Sequence, residues 1–139
     1  MKKILIIIGT RPETIKMAPV YHALVHRAGL EIVVCATGQH RDIVAPMALF
    51  FQLPIDEDME VMKPNQDLFD LTARVLLRMR DTLKRIQPDL VLTQGDTTTV
   101  MAASMAAFYL GIPVGHVEAG LRTYHMRNPF PEEMNRVVT

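Results

Sequence analysis

Residues Gln94 to Arg136 read QGDTTTVMAASMAAFYLGIPVGHVEAGLRTYHMRNPFPEEMNR, and the fold is decided in this stretch. Leu90 to Gln94, where the stretch begins, is a short apolar run of strand length. Val100 to Leu110 is small and apolar, with Gly111 placed to close a helix as its C′ residue and Pro113 placed to block any continuation. Val114 to Val117 then makes a second buried strand, with Glu118 at its end. Two parallel strands joined by one helix bring Asp96 and Glu118 to the same sheet edge. That edge is the carboxyl-end crevice where open α/β folds bind ligands, and a pair of carboxylates there is a candidate for acid/base work.

Between strand and helix sits Gly95-Asp96-Thr97-Thr98-Thr99. A strand running into Gly-Asp-Thr and then a helix presents backbone N–H groups and hydroxyls at the positive end of the helix dipole, which suits an anionic ligand. Asp96 can equally serve as a plain helix cap through the N–H of Thr99. The local sequence leaves both readings standing.

Moving outward to the chain start, Ile4 to Ile8 is a continuous apolar run of the kind a parallel sheet buries on both faces. Gly9 allows a tight exit, and Thr10-Arg11-Pro12-Glu13 fits a capping box with proline tolerated in the first turn. Ile15, Ala18, Tyr21, Leu24 and Val25 continue that helix at helical spacing. Arg11 stands where the helix dipole and its own fork of donors both address a phosphate or carboxylate, with Lys16 further along the same helix. Glu31 to Ala36 predicts the next strand and Asp42 to Phe51 a short helix. Leu53 to Asn65 reads as a loop with a short strand near Met59 to Met62. Asp67 then caps a long helix through about Gln87, striped by Leu68, Leu71, Val75, Leu76, Met79, Leu83 and Ile86. The basic side chains Arg74, Arg78, Arg80, Lys84 and Arg85 read as its solvated face.

Strands alternating with helices predict an α/β fold, a Rossmann-like three-layer domain with a parallel sheet and helices on both faces. Gly9 to Glu13, Gln39 to Arg41, Gly95 to Thr99 and Glu118 to Arg122 each follow a predicted strand directly, so these polar clusters converge on one edge. Arg11 is expected to share that hollow with the carboxylates.

A chain of 139 residues fits one domain with a sizeable core. Fifteen basic against fifteen acidic residues provide no electrostatic case for nucleic acid or an anionic membrane as partner. The single cysteine, Cys35, lies in an apolar run and reads as a buried thiol in a reducing compartment. Ile4 to Ile8 is too short for a signal-peptide core and nothing is long enough to span a bilayer, so the cytoplasm is expected. The five histidines show no metal-ligand spacing with Cys35 or one another. Neither G-x-G-x-x-G nor the Walker A pattern occurs.

Taken together, GTRPE (Gly9 to Glu13), QHR (Gln39 to Arg41), GDTTT (Gly95 to Thr99), HVEAGLRT (His116 to Thr123) and PFPEEMNR (Pro129 to Arg136) resemble the non-hydrolysing bacterial UDP-N-acetylglucosamine 2-epimerases. The resemblance runs along the whole chain in the family's order. It implies the N-terminal half of a two-domain GT-B-type enzyme, without the C-terminal UDP-binding domain, and so a cut chain with little or no turnover. It implies exchange of UDP-N-acetylglucosamine and UDP-N-acetylmannosamine by elimination and re-addition of UDP, without metal or other cofactor, in a cytoplasmic homodimer serving cell-envelope polysaccharide synthesis. Asp96, Glu118 and Glu132 match the proposed acid/base residues, and Arg11 and Lys16 the residues that hold the diphosphate end. Gln39, His40 and Arg74 match a site where some members bind a second, activating UDP-N-acetylglucosamine, although Asp42 stands where the family often has Gln. His116, Arg122, Asn135 and Arg136 either orient the carboxylates or tie down the loop. Glu132 also reads as an ordinary first-turn carboxylate after Pro131. Other readings are a GT-B glycosyltransferase, a hydrolysing 2-epimerase, or a sensor that binds a nucleotide sugar without chemistry.

Overall fold

Strand β1 (Lys2–Ile8) lies at the centre of a five-stranded parallel sheet ordered β3-β2-β1-β4-β5 in the computed structural model, which describes residues 1–38 and 41–139. Its neighbours are β2 (Leu30–Ala36), in register from Lys2 opposite Leu30, and β4 (Leu90–Gln94), with Ile4 opposite Leu90. Strands β3 (Glu57–Asp58) and β5 (Val114–Val117) form the two edges. Because successive side chains of a strand face opposite ways, a strand between two helical layers must be apolar throughout. β1 obeys: Ile4, Ile6 and Ile8 face one layer, Leu5 and Ile7 the other.

The first layer is α1 (Arg11–Val25) with α2 (Arg41–Phe50), packed through Met17, Ala18, Val44 and Ala48. The second is α3 (Leu68–Ile86) against α4 (Thr98–Tyr109), where Leu71, Val75, Met79 and Leu83 meet Ala102, Ala103, Ala106 and Ala107. Small residues on α4 let α3 approach closely. The expected three-layer α/β architecture is therefore the observed one. A last helix, α5 (Glu132–Val138), packs on α4.

Local chemistry sets the helix ends as expected. The capping box at α1 is complete, with Thr10 accepting from Glu13 N and the Glu13 side chain receiving the Thr10 N–H. Asp67 accepts from Asp70 N at 2.8 Å, a cap whose removal costs about 1 kcal/mol. Gly111, at φ +71, takes the left-handed C′ position after α4. Cys35 is buried, which pushes its thiol up to about 12.

Three local expectations shift. The short strand falls at Glu57–Asp58, paired with Cys35 and Ala36, and not near Met59 to Met62. Glu60 takes φ +50 and breaks the ladder, while Met59 and Val61 are buried in the α3 layer; their alternation reflects core anchoring. The cap of α4 is Thr97, accepting from Val100 N at 3.2 Å, one residue after Asp96. Nor is the basic face of α3 wholly solvated: Arg85 grips Glu57 through two 2.8 Å bonds, and the Arg74 Nε is buried without a hydrogen-bond partner among the described residues.

Candidate active site

From β1 the chain crosses to β2 on one side, whereas β4 lies on the other, so the carboxyl ends of β1 and β4 form a topological switch point. Two turns meet there, Gly9–Thr10 after β1 and Gly95–Thr97 after β4. They are bound to each other by Glu13. Its Oε2 accepts the N–H groups of Gly9 and Thr10 at 2.6 and 2.7 Å, and its Oε1 accepts the Thr97 hydroxyl at 3.0 Å. Burial pushes the Glu13 carboxyl above its ordinary range, against the opposing pull of these donors.

Glu118 follows β5 with φ +63, a left-handed conformation that a non-glycine residue adopts only where its surroundings enforce it. The surroundings are specific. Lys16 Nζ lies 2.5 Å from Glu118 Oε2, Gln94 Nε2 donates to the same oxygen at 2.8 Å, and an Arg136 nitrogen donates to the Glu118 carbonyl at 2.7 Å. The Lys16 ammonium holds the Glu118 carboxyl below the usual range; partial desolvation opposes it, and Gln94 and Arg136 reinforce it.

Asp96 and Glu118 stand on the same side of the molecule. The guanidinium of Arg136 that holds the Glu118 carbonyl also donates through Nε to Asp96 Oδ2 at 3.1 Å. Asn135 donates to the Asp96 carbonyl at 2.9 Å and to Thr98 Oγ1 at 3.3 Å. His116 Nε2 lies 2.6 Å from the Gly95 carbonyl, and since a carbonyl only accepts, this ring nitrogen carries the proton. Arg136, Asn135 and His116 thus orient the Asp96 loop.

Arg122 has the other role considered for it. It donates to Glu133 Oε1 at 2.8 Å and lies over the Tyr124 ring, 4.9 Å from its centroid. Glu133 also accepts the N–H groups of Thr123 and Tyr124, at 3.1 and 3.0 Å. Burial pushes this carboxyl up, but the Thr123 N–H, Arg122 and the Tyr124 N–H outweigh it and the net shift is downward. The loop from Glu118 to Pro131 is thereby fastened to α5. A cavity of 320 Å³ opens beside it, lined by Asp96, Arg122, Thr123, Glu133 and Arg136 among others.

The remaining predicted residues are less closely assembled. Glu132 is the first residue of α5, and its Oε2 is buried without a hydrogen-bond partner among the described residues, where no bond links it to Asp96 or Glu118. Arg11 is exposed at the start of α1 and lines a second hollow of 560 Å³ with Ile15, Asp42 and Phe50. As the N1 residue of α1 it lines this hollow with residues of α2, whereas Asp96 lines the 320 Å³ cavity. Gln39 and His40 lie outside the described residues, so of the three activating-site candidates only Arg74, half-buried on α3, is placed. The sequence singles out neither Gln94 nor Glu133 as a site residue, and Thr97 only as a member of the Gly95–Thr99 cluster. A glutamine ending a buried strand was the available signal for Gln94; for Glu133 only its position beside Glu132 pointed that way.

Residues 22–139 match the family model described as UDP-N-acetylglucosamine 2-epimerase. The chain belongs to the UDP-N-acetylglucosamine 2-epimerase family. A probable 2-epimerase from Ralstonia solanacearum is 50% identical over all 139 residues, which span 37% of that relative. The crystal structure of the Neisseria meningitidis 2-epimerase bound to UDP-GlcNAc superposes with a TM-score of 0.94 at 49% identity, over 99% of this chain and 38% of that one. The Methanocaldococcus jannaschii 2-epimerase in complex with UDP-GlcNAc and UDP gives 0.90 at 34% identity, over 98% and 37%. The chain therefore spans little more than a third of the length of these 2-epimerases. No described helix is long and apolar enough to cross a membrane.

Proposed function

We propose that this chain is the N-terminal, carboxylate-bearing half of an enzyme that interconverts UDP-N-acetylglucosamine and UDP-N-acetylmannosamine. The observation that carries the reading is the Arg136 guanidinium that joins the Asp96 carboxylate to the Glu118 carbonyl, with Lys16 on Oε2 of Glu118. C2 of the sugar bears no adjacent carbonyl, so its hydrogen does not leave as a simple acid proton. Elimination solves this. A carboxylate takes the C2 proton, the C2–H electron pair becomes the C1–C2 double bond, and the C1–O bond breaks with its electrons on UDP. The glycal then turns over when a UDP oxygen re-forms the bond to C1 and C2 accepts a proton on the opposite face.

Glu118, held ionised by Lys16, starts in the form that takes a proton. Asp96 and Glu132 complete the acid/base set, and Arg11 with Lys16 meets the diphosphate, where cations stabilise the leaving charge. Lys16 is shared, because its ammonium already serves Glu118. Gln39, His40 and Arg74 are assigned to an activating nucleotide-sugar site, and a second domain to the uridine and most of the diphosphate. The complete enzyme is assigned to the cytoplasm, as a homodimer supplying cell-envelope polysaccharide synthesis.

The test is an assay of UDP-N-acetylmannosamine formation in deuterated water, on a protein carrying both domains. Deuterium should enter at C2, and Asp96→Asn and Glu118→Gln should each lower kcat by about 100-fold or more. Normal turnover by the present chain alone would refute the two-domain assignment, because half-sites lose contacts that act as a unit. Release of free N-acetylmannosamine would point to the hydrolysing variant, and transfer to an acceptor to a glycosyltransferase. Tight binding without rate would mark a sensor.

A further inference from the structure

We infer that Glu13 is an internal ligand of the first βα turn: its carboxyl group fills the anion cradle formed by the Gly9 and Thr10 amides and, through Thr97, fixes the Asp96 loop against the Gly9–Thr10 turn. In dinucleotide-binding folds the amides of this turn receive phosphate oxygens at a helix N-terminus. Here both N–H groups are occupied by one oxygen of the chain's own side chain, at 2.6 and 2.7 Å. The other oxygen reaches across 84 residues to the Thr97 hydroxyl, which in turn accepts from Val100 N at 3.2 Å and caps α4. A solvent-facing capping box would end at α1. This side chain is only 3% exposed and joins the starts of both helices.

The consequence is specific. A diphosphate finds no free backbone donor at Gly9 or Thr10 and is met by side chains, Arg11 being the one beside that turn. The positioning of Asp96 rests on the function proposed above, whereas the filled cradle stands independently of it.

The experiment uses the ¹⁵N-labelled chain and inorganic pyrophosphate. Wild-type Gly9 and Thr10 amide resonances should stay in place as pyrophosphate is added. In Glu13→Ala the same amides should move. That variant should lose about 5–15 °C in Tm, and sodium formate should restore at least about half of the loss relative to sodium chloride at equal ionic strength, which an ordinary packing defect would not allow. Glu13→Gln keeps an oxygen for the two amides but loses the acceptor for the Thr97 hydroxyl. It should leave Gly9 and Thr10 near their wild-type shifts and displace those of Asp96 and Thr97, as should Thr97→Val.

Wild-type Gly9 and Thr10 amides that respond to pyrophosphate as strongly as those of Glu13→Ala would overturn the inference. So would formate acting no better than chloride. Should Glu13→Ala not fold, the wild-type titration and the Gln and Val variants decide: unmoved Asp96 resonances in both variants, or a wild-type response at Gly9, sink it. None of these readouts measures turnover, so their failure is distinct from failure of the epimerase assignment.

Discussion

Glu13 and Glu133 are the two acidic side chains buried among the described residues, one beside the turn after β1 and one in the helix after β5. Each accepts two backbone N–H groups at hydrogen-bonding distance. Their carboxyl groups nevertheless shift in opposite directions, upward for Glu13 and downward for Glu133. The remaining partner also differs: a neutral Thr97 hydroxyl for Glu13, the Arg122 guanidinium for Glu133. For Glu13 burial is the larger influence, whereas for Glu133 the Thr123 N–H, the Arg122 hydrogen bond and the Tyr124 N–H together outweigh it, with the Arg122 charge adding to them. The β1 turn is therefore held through uncharged donors and the β5 loop through an ion pair, and the two should fail differently.

The largest effect should come from Glu133→Ala, which orphans Arg122 together with the Thr123 and Tyr124 amides. Its Tm should fall by more than about 10 °C, with early proteolysis between Glu118 and Pro131; a loss similar to that of Glu13→Gln would break the comparison. Next comes Glu13→Gln itself, which orphans no cation and keeps an acceptor for both amides. Calorimetry should place its Tm within about 4 °C of wild type.

Acid titration sharpens the contrast further. Glu118 and Glu133 titrate below their ordinary value of 4.5 when folded, so just below that pH the unfolded chain holds more protons than the native one. Their stabilisation is present above pH 4.5 and is lost as pH falls through the folded values. Glu13 runs the other way: its folded value exceeds 4.5, the native state holds the extra proton above that pH, and stability declines as pH rises through the folded value. Urea midpoints measured against pH should show a flatter acid limb in Glu133→Gln and a lost decline above pH 4.5 in Glu13→Gln. Lys16→Met should have the smallest effect on Tm, within about 2 °C, because the pair is half-exposed. Carbon NMR should nonetheless find the Glu118 carboxyl shifted back up toward 4.5.

Much of the frame was legible in advance because its signals are short-range. The unbroken apolar run of β1, the Thr10–Glu13 box, the Asp67 cap and Gly111 after α4 each act within a few residues and appear where their chemistry puts them. Where local patterns misled, burial supplied a competing cause, as when Met59 and Val61 alternate beneath α3 and imitate a strand. The cap of α4 moved from Asp96 to Thr97, leaving the Asp96 carboxylate to Arg136. Arg122 could be read two ways from sequence, and only its bond to Glu133 assigns it to the loop.

By itself the sequence determined the order of strands and helices, the ends of α1 and α3, and the delivery of Asp96 and Glu118 to one sheet edge, since hydrophobic period, cap chemistry and parallel pairing are properties of neighbouring residues and of direction. Tertiary structure alone decided which donor meets which carboxylate: Lys16 is 102 residues from Glu118 in sequence, and Arg136 is 40 from Asp96. Those pairings depend on strand order and on where α5 comes to rest, and no local period records either one.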